Sequence, residues 1–200
     1  PSLFLLSISG AIRLHPIRNI RLDTNDLRNN SRTLALWLNM ELEKIELKLI
    51  DGSPASFADF KGKVVLVVNV ASRCGLSPQY EALEKLQRTY ADRGFTVLGM
   101  PSNQFLQELS SEDAISDYCS TTWGVSFPMT ERVKVNGKGR HELYKSLVKT
   151  KDSAGLAGPV LWNFEKFLVG RDGKVIARFA PDVPADDARL IAAIDAALAA

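Results

Sequence analysis

The most apolar stretch of the chain, Val64 to Ala71 (VVLVVNVA), is a nearly continuous run of β-branched residues. That is the pattern of a central strand buried on both faces. Pro78 then opens a helix in which Tyr80, Leu83, Leu86, Gln87 and Tyr90 recur at helical spacing, and Arg93-Gly94 closes it. Phe95 to Met100 predicts a second buried strand. Strand, helix and strand in that order favour parallel pairing with a right-handed crossover. A second helix is expected from about Ser111 to Thr121, with Ser110 or Ser111 as a cap and Glu112 and Asp113 in the first turn. The glycines and lysines of 136–140 precede a short helix, His141 to Val148. Phe164 to Val169 and Val175 to Ala180 are expected strands, joined by a hairpin turn at Arg171-Asp172-Gly173-Lys174. Pro184 is expected to start a terminal helix rich in alanine and isoleucine. Upstream, Glu41 to Leu49 alternates charged residues with Leu42, Ile45, Leu47 and Leu49 before an Asp51-Gly52 turn.

These elements describe a three-layer α/β domain. The arrangement that fits them is a thioredoxin-like fold, a central mixed sheet flanked by helices on both faces. In the alternative, a flavodoxin-like sheet, the last strands would run parallel, and the Asp172-Gly173 hairpin argues against that.

Composition narrows the classes. The chain has 200 residues, 46% of them hydrophobic and 24% charged, which suits one globular domain with an added arm. The arm is residues 1–39, which hold five arginines, two aspartates and no lysine. They are expected to be an N-terminal extension, disordered or upstream of a natural start at Met40, with residues 40–200 as the domain proper. The formal net charge of +2 belongs to the arm: without it 20 basic and 21 acidic side chains remain. A near-neutral domain lacks the basic stripe that nucleic-acid binding needs. No apolar run approaches the roughly 20 residues of a membrane helix, and no convincing leader stands out. A cytoplasmic protein is the default expectation, with periplasm or organelle left open. His15 and His141 lie far apart in sequence and near neither cysteine, so no zinc spacing is present and no bound metal or cofactor is expected.

The two cysteines are Cys74 and Cys119. Cys74 falls between the buried strand and the helix opened by Pro78. Its sulfur is thus expected at the carboxyl end of a sheet and near a helix amino terminus, where unpaired N–H groups and the helix dipole favour negative charge. Arg73 adds positive potential. From position alone, a reactive sulfur and an inert buried thiol both remain open.

Four co-linear blocks decide between them. Asn69-Val70-Ala71-Ser72-Arg73-Cys74-Gly75-Leu76-Ser77-Pro78-Gln79-Tyr80 resembles the peroxidatic segment of the glutathione peroxidase family. Gly99-Met100-Pro101-Ser102-Asn103-Gln104-Phe105, Trp123-Gly124-Val125-Ser126-Phe127-Pro128-Met129 and Trp162-Asn163-Phe164-Glu165-Lys166-Phe167-Leu168 follow in the family's order. The resemblance runs from about Met40 to the C-terminus. It implies that Cys74 is the peroxidatic cysteine and that Trp162 and Asn163 turn N–H groups toward its sulfur. Such donors favour a thiolate and can stabilise a leaving hydroxide. The family's glutamine lies in a Gly-Gly-Gln-Glu-Pro stretch, but here Leu106-Gln107-Glu108-Leu109 is one residue shorter and lacks the glycines and the proline. Gln107 is the best match and Gln104 stays an alternative. Cys119 matches the resolving cysteine of two-cysteine members, while Ser102 replaces a third family cysteine.

The resemblance also implies an activity. A peroxide would oxidise Cys74 to a sulfenic acid, Cys119 would condense with it to a disulfide, and an external dithiol would reduce that bond. Two-cysteine members generally prefer thioredoxin to glutathione, so both stand as reducing co-substrates, and hydrogen peroxide and organic or lipid hydroperoxides are the expected substrates. Direct resolution by glutathione would leave Cys119 a plain core residue. Thr150 to Val160 is too brief for the subunit-contact loop of tetrameric relatives, which implies a monomer or weak dimer. Trp123 and His141 are expected to serve packing and surface roles. A redox sensor or relay signalling through the same disulfide is the alternative function. A general dithiol oxidoreductase ranks below it, because no Cys-x-x-Cys is present.

Overall fold

The computed structural model describes residues 42–200. The expectations for residues 1–39 lie outside the described residues. The chain forms β1 (Glu46–Lys48), β2 (Pro54–Ser56), β3 (Val64–Val70), α1 (Gln79–Tyr90), β4 (Phe95–Pro101), α2 (Glu112–Trp123), α3 (Glu142–Leu147), β5 (Lys166–Val169), β6 (Val175–Phe179) and α4 (Ala188–Ala199). A single 3₁₀ turn at Phe57–Phe60 follows β2. Strands β1 and β2 pair as a small separate hairpin, and the main sheet has the order β4-β3-β5-β6.

The mixed direction of that sheet follows from its connections. Strand β4 lies parallel to β3, Val64 opposite Phe95 and Val70 opposite Pro101, because α1 carries the chain back between them. Strand β5 is antiparallel to β3, with Val68 opposite Lys166, and β6 is antiparallel to β5. Gly173, at φ 75°, takes the left-handed conformation that the Asp172-Gly173 turn requires. This is the expected thioredoxin-like sheet, helices on both faces.

The apolar run of β3 is explained by those two faces. Val64, Leu66, Val68 and Val70 pack into one core with Tyr80, Leu83 and Leu86 of α1 and Leu190 and Ile194 of α4. Val65 and Val67, pointing the other way, join a second core with Leu143, Tyr144 and Leu147 of α3 and Phe167 of β5. Period-two geometry therefore buries every residue of β3, and the strand reads as a run instead of an alternation.

Two expected boundaries move. The terminal helix starts at Ala188 and not at Pro184, because the Asp187 carboxylate accepts the Arg189 N–H and caps the first turn there. Strand β5 starts at Lys166 and not at Phe164, because Phe164 sits at φ 65°, outside any strand conformation. Helix α1 ends at Tyr90, and the expected Arg93-Gly94 stop closes a 3₁₀ turn, Ala91–Arg93, that follows it; the ends of α2 and α3 lie within two residues of expectation. Ser111 is the cap of α2, its hydroxyl accepting the Ala114 N–H at 3.3 Å.

Lys166 is fully buried in the middle of this sheet. Its Nζ donates to the carbonyls of Pro181 and Val183, and so anchors the segment leading into α4. Burial lowers its pKa to about 7, against the opposing pull of Asp182 and Glu165. Between about pH 7 and pH 9 the unfolded chain therefore holds a proton at this position that the folded chain has released, so Lys166 makes stability rise with pH. Urea unfolding of wild type and Lys166→Met at pH 7 and pH 9 measures this: the stability gap between them should shift toward wild type at the higher pH. A gap independent of pH would show that the buried amine keeps its proton.

Candidate active site

Asn69 is the one polar residue in β3, and it is fully buried. Its side-chain amide and its carbonyl are engaged with the segment that precedes β5. Its Nδ2 donates to the Trp162 carbonyl at 2.9 Å, its Oδ1 accepts the Glu165 N–H at 3.1 Å, and its carbonyl accepts the Phe164 N–H at 2.6 Å. The positive φ of Phe164 is the bend that lets its neighbours on both sides meet one asparagine. Next to it, Glu165 and Arg178 form an ion pair whose side chains are 2% and 3% exposed. Glu165 also accepts the Leu161 N–H at 2.8 Å, and Arg178 donates to the carbonyls of Gly158 and Pro159 at 3.0 and 2.9 Å. The chain on both sides of Trp162 and Asn163 is thus tied to the sheet by buried polar bonds.

Cys74 lies in the turn between β3 and α1, with 4% of its surface exposed. The Leu76 N–H donates to its Sγ at 3.4 Å, the only hydrogen bond to that sulfur among the described residues. The Ser77 N–H donates to its carbonyl at 2.9 Å and tightens the turn. Gly75 beside it is exposed, and a Cβ there would meet nothing within 4 Å, so the turn opens to solvent on that side.

The expected partners come together around this turn to different degrees. The Gln107 carbonyl accepts the Arg73 N–H at 2.8 Å, which places the glutamine segment against the residue before the cysteine. The Asn163 Nδ2 donates to Gln107 Oε1 at 2.9 Å, so these two amides are a direct pair. Asn163 is fully buried and its Oδ1 has no partner among the described residues. The pairing leaves the Gln107 NH₂ group unused by any protein acceptor among the described residues. Gln104 is occupied elsewhere: its Oε1 accepts the N–H groups of Val135 and Asn136 and its Nε2 donates to the Asn136 carbonyl. Trp162 is 42% exposed and its ring packs on Phe105 at 5.2 Å between centroids. Its indole makes no hydrogen bond to the Cys74 sulfur, nor does the Asn163 amide, among the described residues. Leu106, between Phe105 and Gln107, is 87% exposed at φ 60°.

Cys119 is on α2, 1% exposed, in the same buried cluster as Cys74, and both thiols are free. Burial pushes its thiol up to about 11; the Tyr80 hydroxyl pulls the other way and the Glu108 carboxyl adds to the rise. Trp123 stacks on Tyr80 at 6.3 Å, and half-buried His141 caps α3 by accepting the Leu143 N–H at 3.2 Å. One residue beside the site is not singled out by the sequence reading, although it follows Gln107 as glutamate follows glutamine in the family's stretch: Glu108, buried and bonded to the backbone of Ser72. Among the described residues no group of three or more His, Cys, Asp or Glu could hold a metal ion, and no helix is long and apolar enough to cross a membrane.

A buried thiol at the carboxyl end of the central strand, in a turn bonded through its backbone to the segment that carries an amide pair, with a second free thiol in the same core, on a thioredoxin-like sheet, defines a thiol-based oxidoreductase. The family comparison agrees and is more specific. A family model for glutathione peroxidase matches residues 42–148. Thioredoxin/glutathione peroxidase BtuE of Escherichia coli (strain K12) is 50% identical over 173 residues, covering 76% of this chain and 94% of the relative. Hydroperoxy fatty acid reductase gpx1 of Synechocystis sp. is 50% identical over 138 residues, 65% of this chain and 80% of the relative. The crystal structure of Trgpx in apo form superposes with a TM-score of 0.63 at 36% identity, covering 80% of this chain and 96% of that one. The chain belongs to the glutathione peroxidase family, and is a hydroperoxide-reducing enzyme.

If Asn69 holds the Trp162–Glu165 segment in place, Asn69→Ala should cost about 3 kcal/mol, since it strands a buried carbonyl and a buried N–H. Equilibrium urea unfolding measures this. An unchanged midpoint would show that the segment is held by something else.

Proposed function

We propose that Cys74 is the peroxidatic residue, that Gln107, Asn163 and Trp162 serve its chemistry, and that Cys119 resolves it. The observation that carries this reading is the Gln107–Asn163 amide pair, bonded through Arg73 to the very turn that holds Cys74. The Cys74 thiolate attacks one peroxide oxygen; the O–O bond breaks, the other oxygen leaves with a proton as alcohol or water, and the sulfur becomes a sulfenic acid. The free donors of Gln107 and the Trp162 indole are the groups available to stabilise charge on the departing oxygen. The Cys119 sulfur then attacks the sulfenic sulfur, the S–O bond breaks, the hydroxyl leaves with a proton as water, and a disulfide remains. A thioredoxin-type dithiol reduces it, with glutathione as the second candidate; BtuE carries both reductants in its name. The substrates are hydrogen peroxide and organic or lipid hydroperoxides, in keeping with the fatty-acid reductase among the relatives. The chain acts as a monomer or weak dimer.

The step at Cys119 sets a demand on α2. A thiol with a pKa of about 11 is overwhelmingly protonated at neutral pH and enclosed in the core. Helix α2 is suited to opening, because Ile115 and Cys119 are its only buried side chains, against five on α1. An element with so few core contacts has a low cost of local unfolding.

Peroxide-dependent NADPH oxidation with the thioredoxin and glutathione systems tests the assignment. Cys74→Ser should abolish turnover with both, and Cys119→Ser should abolish it with thioredoxin alone. Single oxidation without sustained turnover would point to a sensor, and activity in Cys74→Ser would refute the reading. Truncating Ile115 to alanine should accelerate disulfide formation after one equivalent of peroxide, by about thirtyfold for a loss of about 2 kcal/mol of helix docking. Quenched-flow mass spectrometry follows the disulfide, and a rate no faster than wild type would mean that α2 need not open.

A further inference from the structure

Glu108 combines features that a fold-stabilising residue would not bring together. It is 6% exposed, and burial raises its carboxyl pKa against the opposing pull of Ser72, Leu109 and Arg132. Its Oε1 accepts two backbone N–H groups, Ser72 at 3.0 Å and Leu109 at 2.7 Å, while its own N–H donates to Asn103 Oδ1 at 3.1 Å. Its Oε2 has no hydrogen-bond partner, and neither has the nearby Ser72 Oγ, among the described residues. A buried carboxyl with an idle oxygen costs folding free energy. What it accomplishes in return is geometric. Ser72 is two residues before Cys74, and Leu109 is two residues after Gln107. A single oxygen atom therefore bridges the turn that carries the thiol and the segment that carries the amide.

This bridge is the second bond of a two-bond clamp. The first is the backbone pair of Arg73 N–H and Gln107 carbonyl at 2.8 Å. One hydrogen bond alone fixes a distance and leaves the two segments free to swivel about it. Adding the Ser72–Glu108 bond one residue earlier on one strand and one residue later on the other removes that rotation. Leu109 is held from its other side as well, since Arg132 donates to its carbonyl at 3.3 Å.

We propose that Glu108 is a positioning residue, whose carboxyl oxygen fixes the orientation of the Gln107 segment relative to Cys74. It touches neither sulfur nor substrate and acts through the two backbones. The inference rests on the reading of Cys74 and Gln107 given above. What it requires of residue 108 is an acceptor oxygen at the right reach, not a charge. Glutamine offers the same oxygen, and its NH₂ group can donate to the idle Ser72 hydroxyl; alanine offers none, and aspartate is one methylene short.

The test uses the full chain and three variants: Glu108→Gln, Glu108→Ala and Glu108→Asp. The readouts are kcat/KM for hydrogen peroxide at saturating reductant, the iodoacetamide alkylation rate of Cys74, and the melting curve. Glu108→Gln should stay within about threefold of wild type in kcat/KM. Glu108→Ala and Glu108→Asp should lose about a hundredfold well below their melting temperatures, the scale of a misplacement near 1 Å. A residue needed only for stability would lower Tm in Glu108→Ala and leave kcat/KM of the folded enzyme intact, which would overturn the proposal. So would a Glu108→Gln variant as slow as Glu108→Ala. If Glu108→Ala does not fold, Glu108→Asp decides, a wild-type rate refuting the clamp and a slow one supporting it. Cys74→Ser is the control: if it still reduces peroxide, the reading of the site itself has failed, whereas its inactivity beside a fully active Glu108→Ala sinks only the clamp.

Discussion

The site depends on one asparagine placed where an apolar side chain would otherwise belong. Asn69 occupies the penultimate position of the most buried strand of the protein, and it is tolerated there because every hydrogen-bonding group it exposes to the core is satisfied. Its partners are not in the neighbouring strand ladder but in the stretch just before β5, 93 to 96 residues later in the chain. That single side chain converts a rigid sheet into a support for a non-regular segment. Trp162 and Asn163 are held by β3 from within, and Glu165 and Arg178 hold the same segment from the other side. The turn bearing Cys74 leaves the same strand four residues beyond its end, so both halves of the site share one foundation.

Much of the framework was legible from local pattern. The run from Val64 to Ala71 fits a doubly buried strand because both its faces meet helices, and the Asp172-Gly173 turn correctly separates the antiparallel end of the sheet from a flavodoxin-like alternative. What pattern missed are features set by side-chain bonds at a distance. Local pattern starts α4 at Pro184 because proline is a strong local signal and the Asp187 cap a quieter one. Local pattern puts Phe164 in a strand because nothing in its sequence neighbourhood announces a left-handed backbone. Gln104 and Gln107 are equivalent by residue type, and they are told apart only by partners 31, 32 and 56 positions away.

Glu108 illustrates the same limit more sharply. It sits in the stretch where the chain departs from the family's usual glycine- and proline-bearing loop, and by periodicity it is an ordinary surface glutamate. Its burial follows from a contact across 36 residues with Ser72, which no spacing rule encodes. The shorter loop also leaves Leu106 in a conformation that glycine adopts without strain, at a cost of about 1–2 kcal/mol. The segment is therefore held in place by its bonds to neighbouring residues, since its own backbone preferences work against it.

The exposure of that leucine has a consequence for how the protein behaves in concentrated solution. Leu106 and Leu161 adjoin Phe105 and Trp162 in the chain, whose rings pack together, and both leucines are more than 60% exposed. Residues 40–200 carry almost balanced charge and supply little long-range repulsion between molecules. Exposed apolar side chains beside the Phe105–Trp162 contact, together with Leu156 and Ile176 elsewhere among the described residues, are where weak self-association at high protein concentration would begin.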